Sequence, residues 1–320
     1  MLKSISSKSD IFPTIITYHG VVAKYTDRQV QNNQIEIHEF LKQIDYITKR
    51  FNVVSLPELQ DTLTNNKSYQ KNILAITLDD GYANNIDIVY PELRARGLAS
   101  TLFIPTDLIG TSKRIPTYYV RALIWAGHKN KIKIPSISFE HQLDTFSNKK
   151  KVEIYLIKYL KALPYEKMKR FIGEIMGQIS EEKWQEINQS FHSEALMDWN
   201  GVRYLYDEGV VIGSHGANHV SLHNRQSSSI INNELKNSKK RIEDKLGECK
   251  YFSFPSGSMI DMSIDAIKQV SNAGYELAFS TEKSIKMTIN NRLTLPRICD
   301  VKSFPRLLVG MARYKILQKG

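Results

Sequence analysis

Asp79 and Asp80 stand side by side in "ITLDDGYANN" (76–85), where an apolar run ends. Neighbouring carboxylates repel, and burying such a pair is costly unless a cation or a set of donors compensates. Gly81 follows and permits a sharp turn. Taken alone, the pair also reads as a turn signal or a helix N-cap. A second group lies in "IGSHGANHVSLHN" (212–224), which carries His215, His219 and His223. The i, i+4 spacing of His215 and His219 puts both imidazoles on one side of a helical or turn-like backbone. Two such histidines and a carboxylate from elsewhere make a three-ligand catalytic metal site with one position open to water. A bound cation also answers the repulsion between the aspartates, by taking one of them. The competing reading is a surface pair of histidines.

Both groups follow predicted strands. "TIITYHG" (14–20), "VVSL" (53–56), "ASTLFIP" (99–105), "GVVIG" (209–213), "KYFSFP" (250–255), "YELAFS" (275–280) and "LTLPRI" (293–298) read as strands. "ILAITL" (73–78) is a continuous apolar run, the signature of a strand buried on both faces. Helical patterns occupy 35–51, 85–97 with Gly97 as C-cap, 228–246 and 262–274. Such alternation predicts an α/β protein with a mostly parallel sheet, either a barrel or an open doubly wound sheet. In both, chemistry gathers at the C-terminal ends of the strands. Residues 110–195 break the rhythm and predict a mostly helical insertion, with helices near 149–163, 165–178 and 180–191; it either lines a substrate cleft or adds stability.

The motifs resemble those of the polysaccharide deacetylase family (the NodB homology domain, carbohydrate esterase family 4), in its surface-polysaccharide biosynthesis branch. "TLDDG" (77–81) is similar to that family's T-F-D-D-G motif, which implies Asp79 as general base and Asp80 as metal ligand. "SHGANH" (214–219) resembles H-[ST]-x-x-H, with Gly216 in place of the hydroxyl residue and His215 and His219 as the other ligands. "FSFPSG" (252–257) is similar to the third motif, which implies the Ser256 N–H as oxyanion donor, although the usual tyrosine is absent. "LPRI" (295–298) implies Arg297 as the support of the base, and "TYHG" (17–20) resembles the branch's first strand. The lead-in "MDWNGVRYLYDEGVV" before the second motif matches as well. The resemblance covers roughly 12–109 and 196–300. It implies a distorted (β/α) barrel, one catalytic domain over 1–320, and metal-dependent removal of an N-acetyl group from a sugar in a polysaccharide or in its lipid- or nucleotide-linked precursor. O-deacetylation, or deformylation of a lipid-linked amino sugar, uses the same water attack. Zinc suits a His2Asp set with an open position; cobalt, nickel and iron(II) also fit. Many members use a late histidine as general acid, but no histidine follows His223 here; either His19, from the first strand, supplies the proton, or metal-bound water and a neighbouring group suffice.

The remaining features bound the partners. The net charge is +11, which favours anionic partners. The basic residues are spread out rather than clustered with aromatics, which argues against nucleic acid. A non-catalytic glycan-binding module would have no need of the full Asp-Asp…His-x3-His set. Tyr82, Tyr118 and Trp199 are candidates for stacking on sugar rings or for the core. A basic amphipathic helix is expected near 303–318, with Phe304, Leu307, Leu308, Met311 and Ile316 nearly on one face; it packs on its own domain or touches an anionic membrane. Cys249 and Cys299 are expected as free thiols. The opening "MLKSISSKSD" has no apolar h-region and no stretch approaches ~20 apolar residues, so the expectation is a cytoplasmic protein, at most peripheral to the inner membrane face.

Overall fold

The computed structural model describes residues 13–64, 72–299 and 301–319. The first ten residues, read above for an export signal, lie outside this set. Seven parallel strands form a barrel-like sheet: β1 (Thr14–Tyr18), β2 (Ile73–Leu78), β3 (Thr101–Ile104), β4 (Val211–Ser214), β5 (Tyr251–Ser253), β6 (Leu277–Ser280) and β7 (Leu295–Pro296). They pair in chain order. Thr17 N–H donates to Ile298 O at 2.9 Å and Ile298 N–H to Ile15 O at 2.8 Å, which brings the last strand back to the first. A two-residue strand, Asn52–Val53, adds beside β2. The pattern alone left barrel and open sheet undecided; the β1–Ile298 bridge makes the sheet nearly closed. All six residues of β2 are buried, as its unbroken apolar run requires.

The helices are α1 (Ile37–Thr48), α2 (Leu56–Thr64), α3 (Tyr90–Arg94), α4 (Pro116–Ala126), α5 (Phe146–Lys161), α6 (Tyr165–Met176), α7 (Glu181–Ser190), α8 (Trp199–Asp207), α9 (Ser228–Leu246), α10 (Ile264–Asn272) and α11 (Phe304–Lys319). The strand expected at 53–56 is cut short because α2 begins there. Ser55 and Glu58 form a capping box: Glu58 accepts from Ser55 N–H at 2.7 Å, and Ser55 Oγ accepts from Glu58 N–H at 3.4 Å. Gly97 ends its helix at φ +63°, with Leu98 N–H donating back to Leu93 O.

The insertion contains α4 to α7 and a hairpin, Lys131–Ile134 with Phe139–Gln142. It has its own apolar cluster, including Leu123, Leu156, Phe171 and Trp184, into which Val30 and Val220 of the barrel loops also pack. Its C-terminal end returns to the end of the barrel where the strands finish, and there Ala83 N–H donates to Ala195 O and Met197 N–H to Gly81 O, both at 2.9 Å. Helix α11 buries Leu307, Met311 and Tyr314, and Tyr314 donates to Pro13 O at 2.8 Å. Its buried stripe therefore advances by four and three residues, and Ile316, at 70% exposed, is not on it. Cys249 and Cys299 are free thiols. No helix among the described residues is long and apolar enough to cross a membrane.

The approach of β3 to β4 demands a glycine. A Cβ on Gly213 would lie 2.5 Å from the Phe103 ring and 3.0 Å from Tyr251 O. Gly213→Ala is expected to cost about 2 kcal/mol of stability in urea unfolding, the scale of a core overpacked by one methyl. Unchanged stability would show that the Phe103 ring has room to move aside.

Candidate active site

Asp79, Asp80, His215, Ser256 and Arg297 lie just beyond the C-terminal ends of the strands. Asp79 continues β2, and its N–H donates to Tyr18 O at 3.0 Å. At Asp80 the chain turns into the left-handed region, φ +75°, followed by Gly81 at +73°. This is an uncommon conformation for aspartate, and it sends the two neighbouring carboxylates to different partners. Asp79 meets Arg297, which donates from Nη1 to Oδ1 at 2.9 Å and from Nη2 to Oδ2 at 2.7 Å. Arg297 is wholly buried, lies over the Phe103 and Phe279 rings, and also donates to Thr77 Oγ1 and Ser253 Oγ. Burial alone would raise the Asp79 carboxyl, but the guanidinium and then His215 outweigh it and hold it below its ordinary pKa.

Asp80 meets the histidines. Its Oδ1 lies 3.1 Å from His219 Nε2 and 3.5 Å from His215 Nε2, and no donor is aligned on it for a hydrogen bond. Ligand atoms from Asp80, His215 and His219 all fall within 4.8 Å of one another. His215 Nδ1 is 2.7 Å from Ser253 O, which fixes the proton on Nδ1 and turns the Nε2 lone pair to the shared centre. Two imidazole nitrogens and an orphaned carboxylate oxygen, gathered out of water, form a donor set that fits a divalent cation. Burial opposes the charge on Asp80, yet the two imidazoles hold its pKa well below the usual carboxylate range.

The H-x3-H segment is a turn and not a helix. Gly216 has φ +77° and His219 +55°. Glu234 of α9 holds this turn, accepting from the N–H groups of Ala217 at 2.9 Å and Asn218 at 2.8 Å and from Asn218 Nδ2 at 2.8 Å. No sequence motif pointed to Glu234; its signal is a buried carboxylate on a helix otherwise polar toward solvent.

The other candidates are less tightly gathered. His19 leaves β1 beside the cluster, within the fields of Asp80, Asp79, His215 and Arg297; burial is the largest influence and lowers its pKa, so it is neutral near pH 7. Ser256 lies in a left-handed turn after β5, φ +65°; its hydroxyl accepts from Ser221 at 3.3 Å and its carbonyl from Thr281 Oγ1 at 3.2 Å. His223 is buried and its Nδ1 accepts from Arg225 N–H at 3.1 Å, away from the three-ligand group. Tyr82 and Tyr118 are buried, 1% and 2% exposed, so neither offers a face to a sugar ring. Trp199 is covered by Lys245 and Arg241 at 4.9 and 5.7 Å from its ring. Sequence reasoning also missed Glu194, the last buried side chain of the insertion before it rejoins the barrel. Burial raises its pKa to about 7, with Asp80 adding to the shift, and its Oε1 has no hydrogen-bond partner.

Residues 66–278 match the family model described as polysaccharide deacetylase. The chain belongs to the polysaccharide deacetylase family. Among solved structures, the chain is similar to the Streptococcus pyogenes deacetylase PplD in complex with acetate (TM-score 0.59, 16% identity, 94% of this chain and 98% of that one). It is also similar to IcaB from Ammonifex degensii (0.59, 14% identity, 95% and 97%). A de-N-acetylase from Aggregatibacter actinomycetemcomitans aligns as well (0.56, 15% identity, 93% and 99%). At these identities the likeness is one of fold. No curated protein matches by sequence. Within the family motif, this polysaccharide deacetylase replaces the hydroxyl residue by Gly216, and the structure gives the reason. A Cβ there would lie 2.9 Å from Glu234 Oε2, and the backbone has positive φ. The carboxylate that braces the turn occupies the space.

Two outcomes follow. Glu234→Ala removes no ligand but frees the turn that carries His219, so metal affinity should fall about 10- to 100-fold in a competition titration, the scale of lost outer-shell support; unchanged affinity would make Glu234 irrelevant to the site. Glu194 has a folded pKa near 7 against 4.5 for the unfolded chain. The folded state therefore binds the extra proton between those values, and stability falls as pH rises through that window, by up to about 3 kcal/mol. Glu194→Gln should match the native protein in urea unfolding near pH 4.5 and exceed it above pH 7. A difference that does not change with pH would place Glu194 in a more polar setting than the one described.

Proposed function

We propose that the protein is a metal-dependent hydrolase that removes an N-acetyl group from a sugar of a polysaccharide or its precursor. The observation that carries this reading is the juxtaposition of a buried, arginine-held carboxylate, Asp79, with the Asp80–His215–His219 donor set; Asp79 Oδ2 is 3.9 Å from His215 Nε2. A divalent cation, with zinc the best fit to the donors, supplies Lewis acidity when bound. The chain's own groups do the rest. Asp79, kept ionised by Arg297, takes a proton from the attacking water as the C–O bond forms. The Ser256 N–H, in its left-handed turn, donates to the oxyanion; one such donor is worth about 3 kcal/mol. As the C–N bond breaks, the proton passes to the leaving nitrogen with His19 as the group beside the centre, giving a free amine and acetate. The reading draws support from the family and from the chemistry of these side chains.

Asp79→Asn is expected to reduce acetate release from N-acetylated sugar oligomers at least roughly a hundredfold, with metal content by elemental analysis intact. His215→Ala and His219→Ala should lose both. Full turnover in Asp79→Asn would remove the base from this scheme, and metal-free protein that turns over as fast would remove the metal. Release of formate or of an O-linked acetyl in preference to N-linked acetate would redirect the substrate while keeping the machinery.

A further inference from the structure

A cavity of about 530 Å³ opens between the insertion and the loops that leave β4 and β5. Arg121 of α4, Lys158 and Lys161 of α5, and Arg225 from the loop beyond the histidines line it, flanked by Ile154 and Ile260. Two carboxylates share the wall, and each already has donors. Glu153 accepts from Lys150 at 2.8 Å and Trp125 Nε1 at 3.1 Å and lies 3.5 Å from Arg121; Asp261 accepts from the Ser258 hydroxyl. Four cations against two carboxylates leave two positive charges unmatched.

This cavity adjoins the donor cluster. Arg121 Nη1 donates to Asn33 Oδ1 at 3.3 Å, and Asn33 Nδ2 donates to Asp80 Oδ2 at 3.3 Å, so one side chain separates the cavity wall from a metal ligand. Burial lowers the pKa of Lys161, and Asp261 across the cavity is the first group to oppose that shift. Ile154 and Ile260 stand 59% and 74% exposed at the mouth.

We propose that the cavity is a subsite for a phosphate ester or diphosphate linkage carried by the acetylated sugar; this rests on the deacetylase reading above. A phosphate ester with about two negative charges matches the unmatched cations, lysine binds phosphate as a point charge, and the arginine forks add directed hydrogen bonds. A neutral glycan gives no reason to gather four cations in a cavity whose Arg121 is one side chain from the reaction centre, and two of the candidate aromatic faces, Tyr82 and Tyr118, are buried. The two isoleucines offer apolar contact to the group beyond the phosphate, whether a nucleoside or an isoprenoid.

The test compares metal-loaded protein on three substrates: a neutral N-acetylglucosamine oligomer, and N-acetylglucosamine joined through diphosphate to a nucleoside or to a short isoprenoid. The expected result is a kcat/KM for one diphosphate-linked sugar at least roughly tenfold above the neutral oligomer, with the better of the two identifying the aglycone. In Lys158→Gln/Arg225→Gln, two exposed positions whose substitution leaves the core intact, this ratio should fall about tenfold through KM. Equal turnover of all three sugars, or a ratio that ignores the double substitution, overturns the subsite and leaves the deacetylase reading standing. Absence of turnover on every sugar strikes the deacetylase reading instead. The subsite is then judged by calorimetry with inorganic pyrophosphate, which should bind the native protein about tenfold more tightly than the double variant and more weakly as salt rises; equal affinity overturns it.

Discussion

Two carboxylates joined by one peptide bond must both be buried and both be charged, and this constraint organises the catalytic end of the barrel. The solution is a division of partners. Asp79 is held at the end of β2 by its N–H to Tyr18 O, and the left-handed turn at Asp80 follows at once, so that each carboxylate can be compensated on its own side. Asp79 receives a fully buried guanidinium from the far end of the chain, bidentate and further anchored by Thr77 and Ser253. A buried ion pair of this kind is weak evidence for net stability, because desolvation opposes the Coulomb gain. Its consequence is chemical: it fixes the ionisation and orientation of one carboxylate while the other is left with an oxygen that no aligned donor satisfies.

The rest of the architecture serves that arrangement. Parallel strands deliver Asp79, His215, Ser253 and Arg297 to one end of the sheet. Ser253 links them, since its carbonyl orients His215 and its hydroxyl contacts both Asp79 and Arg297. Glu234 reaches from α9 into the turn between the two histidines, which need not be helical for their imidazoles to meet. The helical insertion is more than an addition at the surface. It has its own core, its end pairs with the segment after Asp80, and α4 and α5 supply cations to the cavity wall. A chain of two hydrogen bonds, Arg121 to Asn33 to Asp80, joins the insertion's interior to the donor set.

Much of this was legible in the residue order. The unbroken apolar run before Asp79 is a strand buried on both faces because only parallel, doubly covered strands tolerate such a run. The helix at 228–246 was visible because period and caps agree: Ser227 caps one end and Gly247, in the left-handed region, the other. The pairing of Asp80 with His215 and His219 was legible because few side-chain sets other than metal ligands combine at strand ends in this way. Helix α2 was overlooked because a short apolar segment suits strand and helix alike, and the capping box at Ser55 and Glu58 was the stronger signal.

What the chain order could not state is which distant groups compensate one another. Local periodicity fixes each element and the face it buries, so the elements and the ligand types were determined by the sequence itself. The closure of the sheet through Ile298, the burial of Tyr82 and Tyr118, the bracing by Glu234 and the cavity between α5 and the barrel loops depend on contacts across tens to hundreds of residues. Such contacts are settled by packing in three dimensions, because a side chain's surroundings are set by every element that reaches it and not by its own neighbours in the chain.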